Sequence, residues 1–362
     1  GGTPQSLTWG GDFVPVGNDF RLGDQFVGDG IIELTNDIDL GATTRIFRVM
    51  DNQHSLRDVA VLSGDLSGSG AGLTIENGGT LFLSGNNSYT GTTNINKGEI
   101  VVESLGSSTS GTTSSVGASG VAAVATDAAA IRLIGSSNNP ATLVYQGDGE
   151  VSDRRIRFQA DGGNATRPRR LCASGAGPHS HPNVVAERTN AGKHLFLRGT
   201  NAAGNMITSV IGDSGANPFG LTVDGSATWI LTAANTFSGT VSLNAGATGI
   251  GNDDALGTGL ISLNNGVAFA HGADRTLDND LEIDNNTTMG FIGEHSLTFT
   301  APSITKLGIN NWGINNNIDT TNGDSLTFAG DIEANSLSAN RNITFGGTGT
   351  ANNDGSNSPT TA

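Results

Sequence analysis

The feature that most limits how this chain can fold is a phrase it uses twice. "LFLSGNNSYTGTTNINKG" runs from Leu81 to Gly98, and "ILTAANTFSGTVSLNAG" runs from Ile230 to Gly246. At an offset of 148 the two align without a gap: Thr80 falls on Thr228, Leu83 on Leu231, Asn87 on Asn235, Gly91 on Gly239 and Asn96 on Asn244. Tyr89 meets Phe237, and upstream Gly64-Asp65 meets Gly212-Asp213. Downstream, "SLG" at Ser104 pairs with "ALG" at Ala255 after a slightly different spacing. A fainter trace, "LTFAGDI" from Leu326 and then "ITFGGTG" from Ile343, carries the pattern towards the C-terminus. Internal repetition of this kind implies units that each bury an apolar face against a neighbour.

Each phrase reads as strand, corner, strand. "TLFLS" and "TWILT" are short β-rich runs, and "NINKGEIVVE" resumes the polar/apolar alternation of a half-buried strand. Between them "GNNSYTGTT" and "AANTFSGTV" supply the Asn and Gly that suit tight corners, with Asn87, Gly91, Asn235 and Gly239 as the corner residues. A β-sandwich could use similar hairpins. Regular recurrence of short strands around Asn-rich corners favours a solenoid over it.

These residues resemble the autotransporter-associated β-strand repeat, also called the passenger-associated transport repeat. "GGTLFLSGNNSYTGTTNINKGEI" follows its core phrase, and "LSGDLSGSGAGLTIENGG" resembles its lead-in. "LTNDIDLGATTRIFRV", "ATLVYQGDGEVSDRRIRF" and "LFLRGTNAAGNMITSVIGDSG" look like the strands that link such repeats. The resemblance implies an all-β, right-handed parallel β-helix belonging to a large, secreted bacterial surface protein. It implies a passenger-like portion and supplies no catalytic residues.

Composition agrees with a thin core. Only 14% of residues are charged, and the 14 Phe outnumber the two Tyr and three Trp together. A single elongated β-solenoid over residues 1–362 is expected, with about 15 rungs at ~4.8 Å spacing. The opening "GGTPQS" lacks Met, so a processed or excised chain is expected. Two stretches interrupt the pattern. Residues 107–130 are rich in Ser, Thr, Gly and Ala and are either a surface excursion or a tightly stacked strand. Residues 162–190, rich in Arg, Pro and His, read as a projecting loop. The net charge of −16 argues against nucleic acid and anionic membranes as partners, and no run is apolar enough to insert in a bilayer.

Few residues suggest chemistry. Cys172, His179 and His181 have ligand side chains, but C-x6-H-x-H matches no common zinc spacing. Carboxylates pair at Asp37/Asp39, Asp148/Glu150 and Asp253/Asp254, and Asp278, Asp280, Glu282 and Asp284 alternate. Turn capping accounts for most of these. No catalytic, metal or cofactor site is assigned, and calcium on the acidic turns is the one ion the pattern allows. Trp9, Trp229 and Trp312 are a thin supply of sugar-stacking platforms. The basic residues are unevenly spread: nine of 18 lie between Val151 and Arg198, namely Arg154, Arg155, Arg157, Arg167, Arg169, Arg170, Arg188, Lys193 and Arg198. In an acidic protein this island is a candidate self-association surface, docking on an acidic region of the next copy.

The sequence therefore points to a non-enzymatic, secreted structural protein that forms or decorates a cell-surface or extracellular layer or filament by self-association. The alternatives are a polysaccharide-binding adhesin and a β-helix enzyme that cleaves polysaccharide, with extracellular polysaccharide or neighbouring cells as further partners.

Overall fold

A computed structural model describes residues 6–11, 13–24, 30–51, 58–108, 111–118, 130–135, 140–159, 168–181, 184–186, 193–283, 287–300, 303–306, 311–334, 343–348 and 351–353. Every regular element among them is a β-strand. The chain expected to be one solenoid divides into two compact units, residues 1–194 and 195–362, with the boundary inside the strand Lys193–Gly199. Contacts in a stacked fold are made only between neighbouring rungs, so such a chain separates readily into local units. Each unit is a parallel β-helix, and parallel crossover connections take the right hand almost without exception.

In the first unit a seven-stranded parallel sheet runs in the order Val184–Ala186, Ile156–Phe158, Ile131–Leu133, Thr93–Ile95, Leu73–Glu76, Arg45–Val49 and Phe20–Leu22. A second face stacks Ile31–Leu34, Val59–Leu62, Thr80–Leu83, Gly98–Val102, Ala141–Tyr145 and Arg169–Ala173. A three-stranded sheet of Leu7–Thr8, Ile38–Asp39 and Leu66–Ser67 closes the early rungs. In the second unit, Phe219–Val223, Val241–Leu243, Ile261–Leu263 and Leu281–Ile283 follow one another on one face. Thr228–Leu231, Ala247–Ile250, Val267–Ala270 and Thr287–Gly293 follow on another.

Side chains alternate inward and outward, and the inward ones stack in register. Leu81, Ile100, Leu143 and Leu171 form one such column, all fully buried. Leu221, Val241, Ile261 and Leu281 form its counterpart in the second unit. Burying an aliphatic side chain is worth about 1.5–3 kcal/mol, and each column repeats that gain once per rung. Ala141–Tyr145 and Phe219–Val223 are buried at all five positions, which marks strands covered on both faces.

The segment 162–190 is not a projecting loop where it is described. It supplies the strands Arg169–Ala173, His179–His181 and Val184–Ala186, with Arg169, His179 and His181 facing inward and buried. Charge and proline signalled exposure, but alternate positions of a solenoid strand face the core whatever residue occupies them. Of residues 107–130, the described stretch 111–118 forms a corner in which Ser114, Ser115 and Val116 are buried.

Candidate functional site

The repeat builds one corner twice. In the first unit, Asn87 is fully buried; its Oδ1 accepts from Leu66 N at 2.7 Å, and its Nδ2 donates to Ser115 O at 2.7 Å. In the second, Asn235 Oδ1 accepts from Ile211 N at 2.8 Å, and Nδ2 donates to Ala255 O at 2.6 Å. Each asparagine thus ties one rung to the rung before and the rung after, using the separate donor and acceptor of its amide. Gly91 N donates to Ala71 O, and Gly239 N to Phe219 O. A Cβ on either glycine would press into the carbonyl that it bonds, so no larger residue fits that approach.

Tyr89 and Phe237 are buried at matching positions, and Gly117 and Gly257, both at positive φ, pass beneath their rings. The structural counterpart of Ala255-Leu256-Gly257 is therefore Ser115-Val116-Gly117. Ser104-Leu105-Gly106, which the sequence alignment paired with it, belongs to an extra stretch inserted before the corner. Burial raises the Tyr89 hydroxyl to a pKa of about 12, against the opposing pull of its hydrogen bond with Thr93 and of the Arg154 charge.

That extra stretch is held by a polar latch. Leu105 N and Gly106 N donate to the two Glu150 oxygens at 2.5 and 3.3 Å, and Ser108 N donates to Asp153 Oδ1 at 2.6 Å. Ser152 Oγ donates to Gly106 O at 2.6 Å. Arg154, only 1% exposed, donates from Nε to Leu105 O at 3.1 Å and from Nη2 to Gly117 O at 2.8 Å. Burial raises the pKa of Glu150 and lowers that of Arg154. Two carboxylates and a guanidinium converge here, and each bonds backbone groups of the extra stretch, which makes the cluster a brace.

The arginine island is accordingly corrected. Arg154 and Arg169 are inside the fold, where Arg169 Nη2 donates to Gln159 O at 3.0 Å, so neither can dock on another copy. Arg155, Arg157 and Arg170 are half-buried on outward positions, while Arg167 and Arg188 lie outside the described residues. Arg170 shares an outward column with Thr142 and Glu99; burial raises the Glu99 pKa, and the Arg170 charge opposes that rise.

The metal-type side chains do not converge. Cys172 faces outward on its strand, whereas His179 and His181 face inward. The two imidazoles meet edge to face at 4.7 Å, and the His179 ring lies 4.6 Å from Tyr145. Among the described residues, no three His, Cys, Asp or Glu side chains are grouped to hold an ion. Most of the described acids cap turns or bridge rungs. Asp37 Oδ1 accepts from Asp65 N, Asp39 Oδ1 from Gly41 N and Asp253 Oδ1 from Thr276 N. Asp278 and Asp280 are exposed and Glu282 half-buried, with Asp284 outside the described residues. Trp9, Trp229 and Trp312 are buried, so none offers a platform. A cleft of about 310 Å³ opens between Leu22, Gly23, Ile32, Val49, Met50 and Val59, with Asp24 and Asp58 in its lining. Among the described residues, no helix is long and apolar enough to cross a membrane.

Comparison with known proteins adds two findings. The model of the passenger-associated-transport-repeat family matches residues 73–102 and 221–248, the two stretches that carry the asparagine corners. The chain is also 31% identical over 151 residues to the adhesin BmaC autotransporter of Brucella suis biovar 1 (strain 1330). That match covers 41% of this chain and 4% of the relative, so the chain spans only a small part of the relative's length. No solved structure matches. In each matched stretch the first strand pairs with a strand 20 residues on and the next with one 19 residues on, so the repeat is one step of the coil with its corner. Each unit of this chain therefore carries one stretch that matches the passenger-associated transport repeat, residues 73–102 in the first and 221–248 in the second.

Proposed function

We propose that this chain is a non-enzymatic, adhesive stretch of a surface-exposed autotransporter passenger. The observation that carries the reading is the use of polar side chains. The buried amides, carboxylates and arginine at the corners and the latch brace one rung on the next, while outward columns are left for contact with other molecules. The named adhesin among its relatives supports the same reading. Beads coated with the purified chain should attach saturably to matrix-coated surfaces or cells. Retention no greater than that of uncoated beads would overturn the reading. Steady release of reducing ends from polysaccharide incubated with the chain would replace it with an enzyme.

Self-association into an extracellular layer or filament is a second reading, favoured by half-buried cations in a chain of net charge −16. Among the described residues of the island, Arg155, Arg157 and Arg170 are the ones on outward positions. Association by sedimentation velocity should weaken with added salt, which screens exposed charges beyond about 3 Å at 1 M. It should also weaken when all three are replaced by Ser. Association indifferent to both changes would exclude this mechanism.

A further inference from the structure

We propose that the outward face formed by Ile131–Leu133 and Ile156–Phe158 in the first unit binds an acidic glycan, with Arg132 as its primary anion contact. This deepens the adhesive reading by naming a ligand class and a face.

The argument starts from register. Arg132 and Arg157 are direct partners on adjacent parallel strands, one rung apart. Strands lie about 4.8 Å apart, so two cations stand side by side on the same face. Like charges directly opposite one another destabilise a sheet unless an anion intervenes. The protein shows how it neutralises such a pair elsewhere on the same sheet. Arg21 and Arg48 are also register partners, and there Arg48 is bound by Asp19 and by Glu76. Arg132 has no such acid: its side chain makes no hydrogen bond or ion pair among the described residues, and its Nε is buried without a partner. Arg155 and Arg157 do hold interactions of their own and contribute to the local positive field.

The rest of the column specifies the ligand. Asn94 precedes Arg132 in register and Thr74 precedes Asn94, joined by a 3.1 Å bond from Asn94 Nδ2 to Thr74 Oγ1. Thr74 is only 7% exposed, so a linear ligand lying across the strands meets the neutral amide of Asn94 and then the cations, one position per rung. That sequence suits a polymer combining hydroxyls with carboxylate or sulfate groups. The outward positions Thr74, Asn94, Arg132 and Arg157 include no aromatic ring on which a nucleobase could stack, a contact single-stranded nucleic acid relies on. The guanidinium fork donates paired hydrogen bonds to carboxylate and sulfate oxygens.

Calorimetry on the whole chain tests this with four probes: chondroitin sulfate, hyaluronan, dextran and single-stranded oligo-dT. Chondroitin sulfate or hyaluronan should bind and dextran should not, and the difference between the first two identifies sulfate or carboxylate as the anion. Arg132→Gln should weaken binding by about tenfold, and Arg132→Lys by less, because the charge remains but the fork is lost. Circular dichroism of both variants should match the parent, since Arg132 braces nothing. No binding of either acidic glycan, or binding unchanged in Arg132→Gln, would overturn the site. Oligo-dT binding as tightly as the glycan would overturn the ligand assignment. Bead attachment is read separately on the same variants. Glycan binding without attachment fails the adhesive reading and keeps the site, and attachment without glycan binding does the reverse.

Discussion

Asn87 and Asn235 each satisfy a backbone donor on one side and a backbone carbonyl on the other, in a place that water does not reach. Replacing either with Ala orphans both groups. An unsatisfied buried polar group costs about 1–3 kcal/mol, so each substitution should lower stability by roughly 2–4 kcal/mol in urea titrations. Asp restores the acceptor and not the donor, and should recover only part of that loss. His181 governs a second expectation. Burial, helped by the neighbouring His179 charge, pushes its pKa well below the ordinary histidine value of 6.5. The folded chain therefore keeps this ring neutral while the unfolded chain takes up a proton below that pH. Stability is full above pH 6.5 and falls beneath it, by about 1.4 kcal/mol per pH unit for this group until its folded pKa is reached. Urea midpoints measured from pH 7.5 to 5 should show this decline, and His181→Leu should flatten it. Equal slopes in the two proteins would remove His181 as the cause.

Strands were the easiest part of this chain to read and corners the hardest. "TLFLS" and "TWILT" announce themselves by alternation, and the gapless pairing of Asn87 with Asn235 preserved corner geometry in the letters. The fold class was legible for that reason, and the family matches fall on the same residues. What misled was the insertion after the first repeat. "SLG" at Ser104 looks more like "ALG" than "SVG" at Ser115 does, yet Gly117, not Gly106, lies under the Tyr89 ring. Resemblance between tripeptides cannot reveal an insertion when both candidates share the same turn residues. Arg154 and Arg169 were misjudged because charge predicts exposure in a compact globule, whereas a solenoid corner can bury a guanidinium among carbonyl oxygens. The latch yields its own expectation. Arg154→Met fills the space with an apolar stem but leaves Leu105 O and Gly117 O without their donor. The peptide bonds joining residues 106 to 108 should then be cut by protease faster than in the parent, while the circular dichroism of the bulk β structure stays the same.

Across the molecule, interactions reach one rung in each direction and little further. Leu143 stacks between Ile100 and Leu171, so Leu143→Ala should cost about 2–5 kcal/mol of local stability. Its effect on amide exchange should centre on the strands Gly98–Val102 and Arg169–Ala173 and fade towards Ile31–Leu34. Uniform loss of protection over residues 1–194 would mean that this unit opens as a single cooperative block.

The pairing distances of 20 and 19 residues in both repeats bear on how such a gene can change. A duplicated stretch of that size presents the same backbone edge above and below as the stretch it copies. It can be spliced in with every flanking ladder re-formed, and its own asparagine arrives with it to fasten the new joint. Length in this architecture is therefore an inexpensive heritable variable, adjustable in whole steps without redesigning any core.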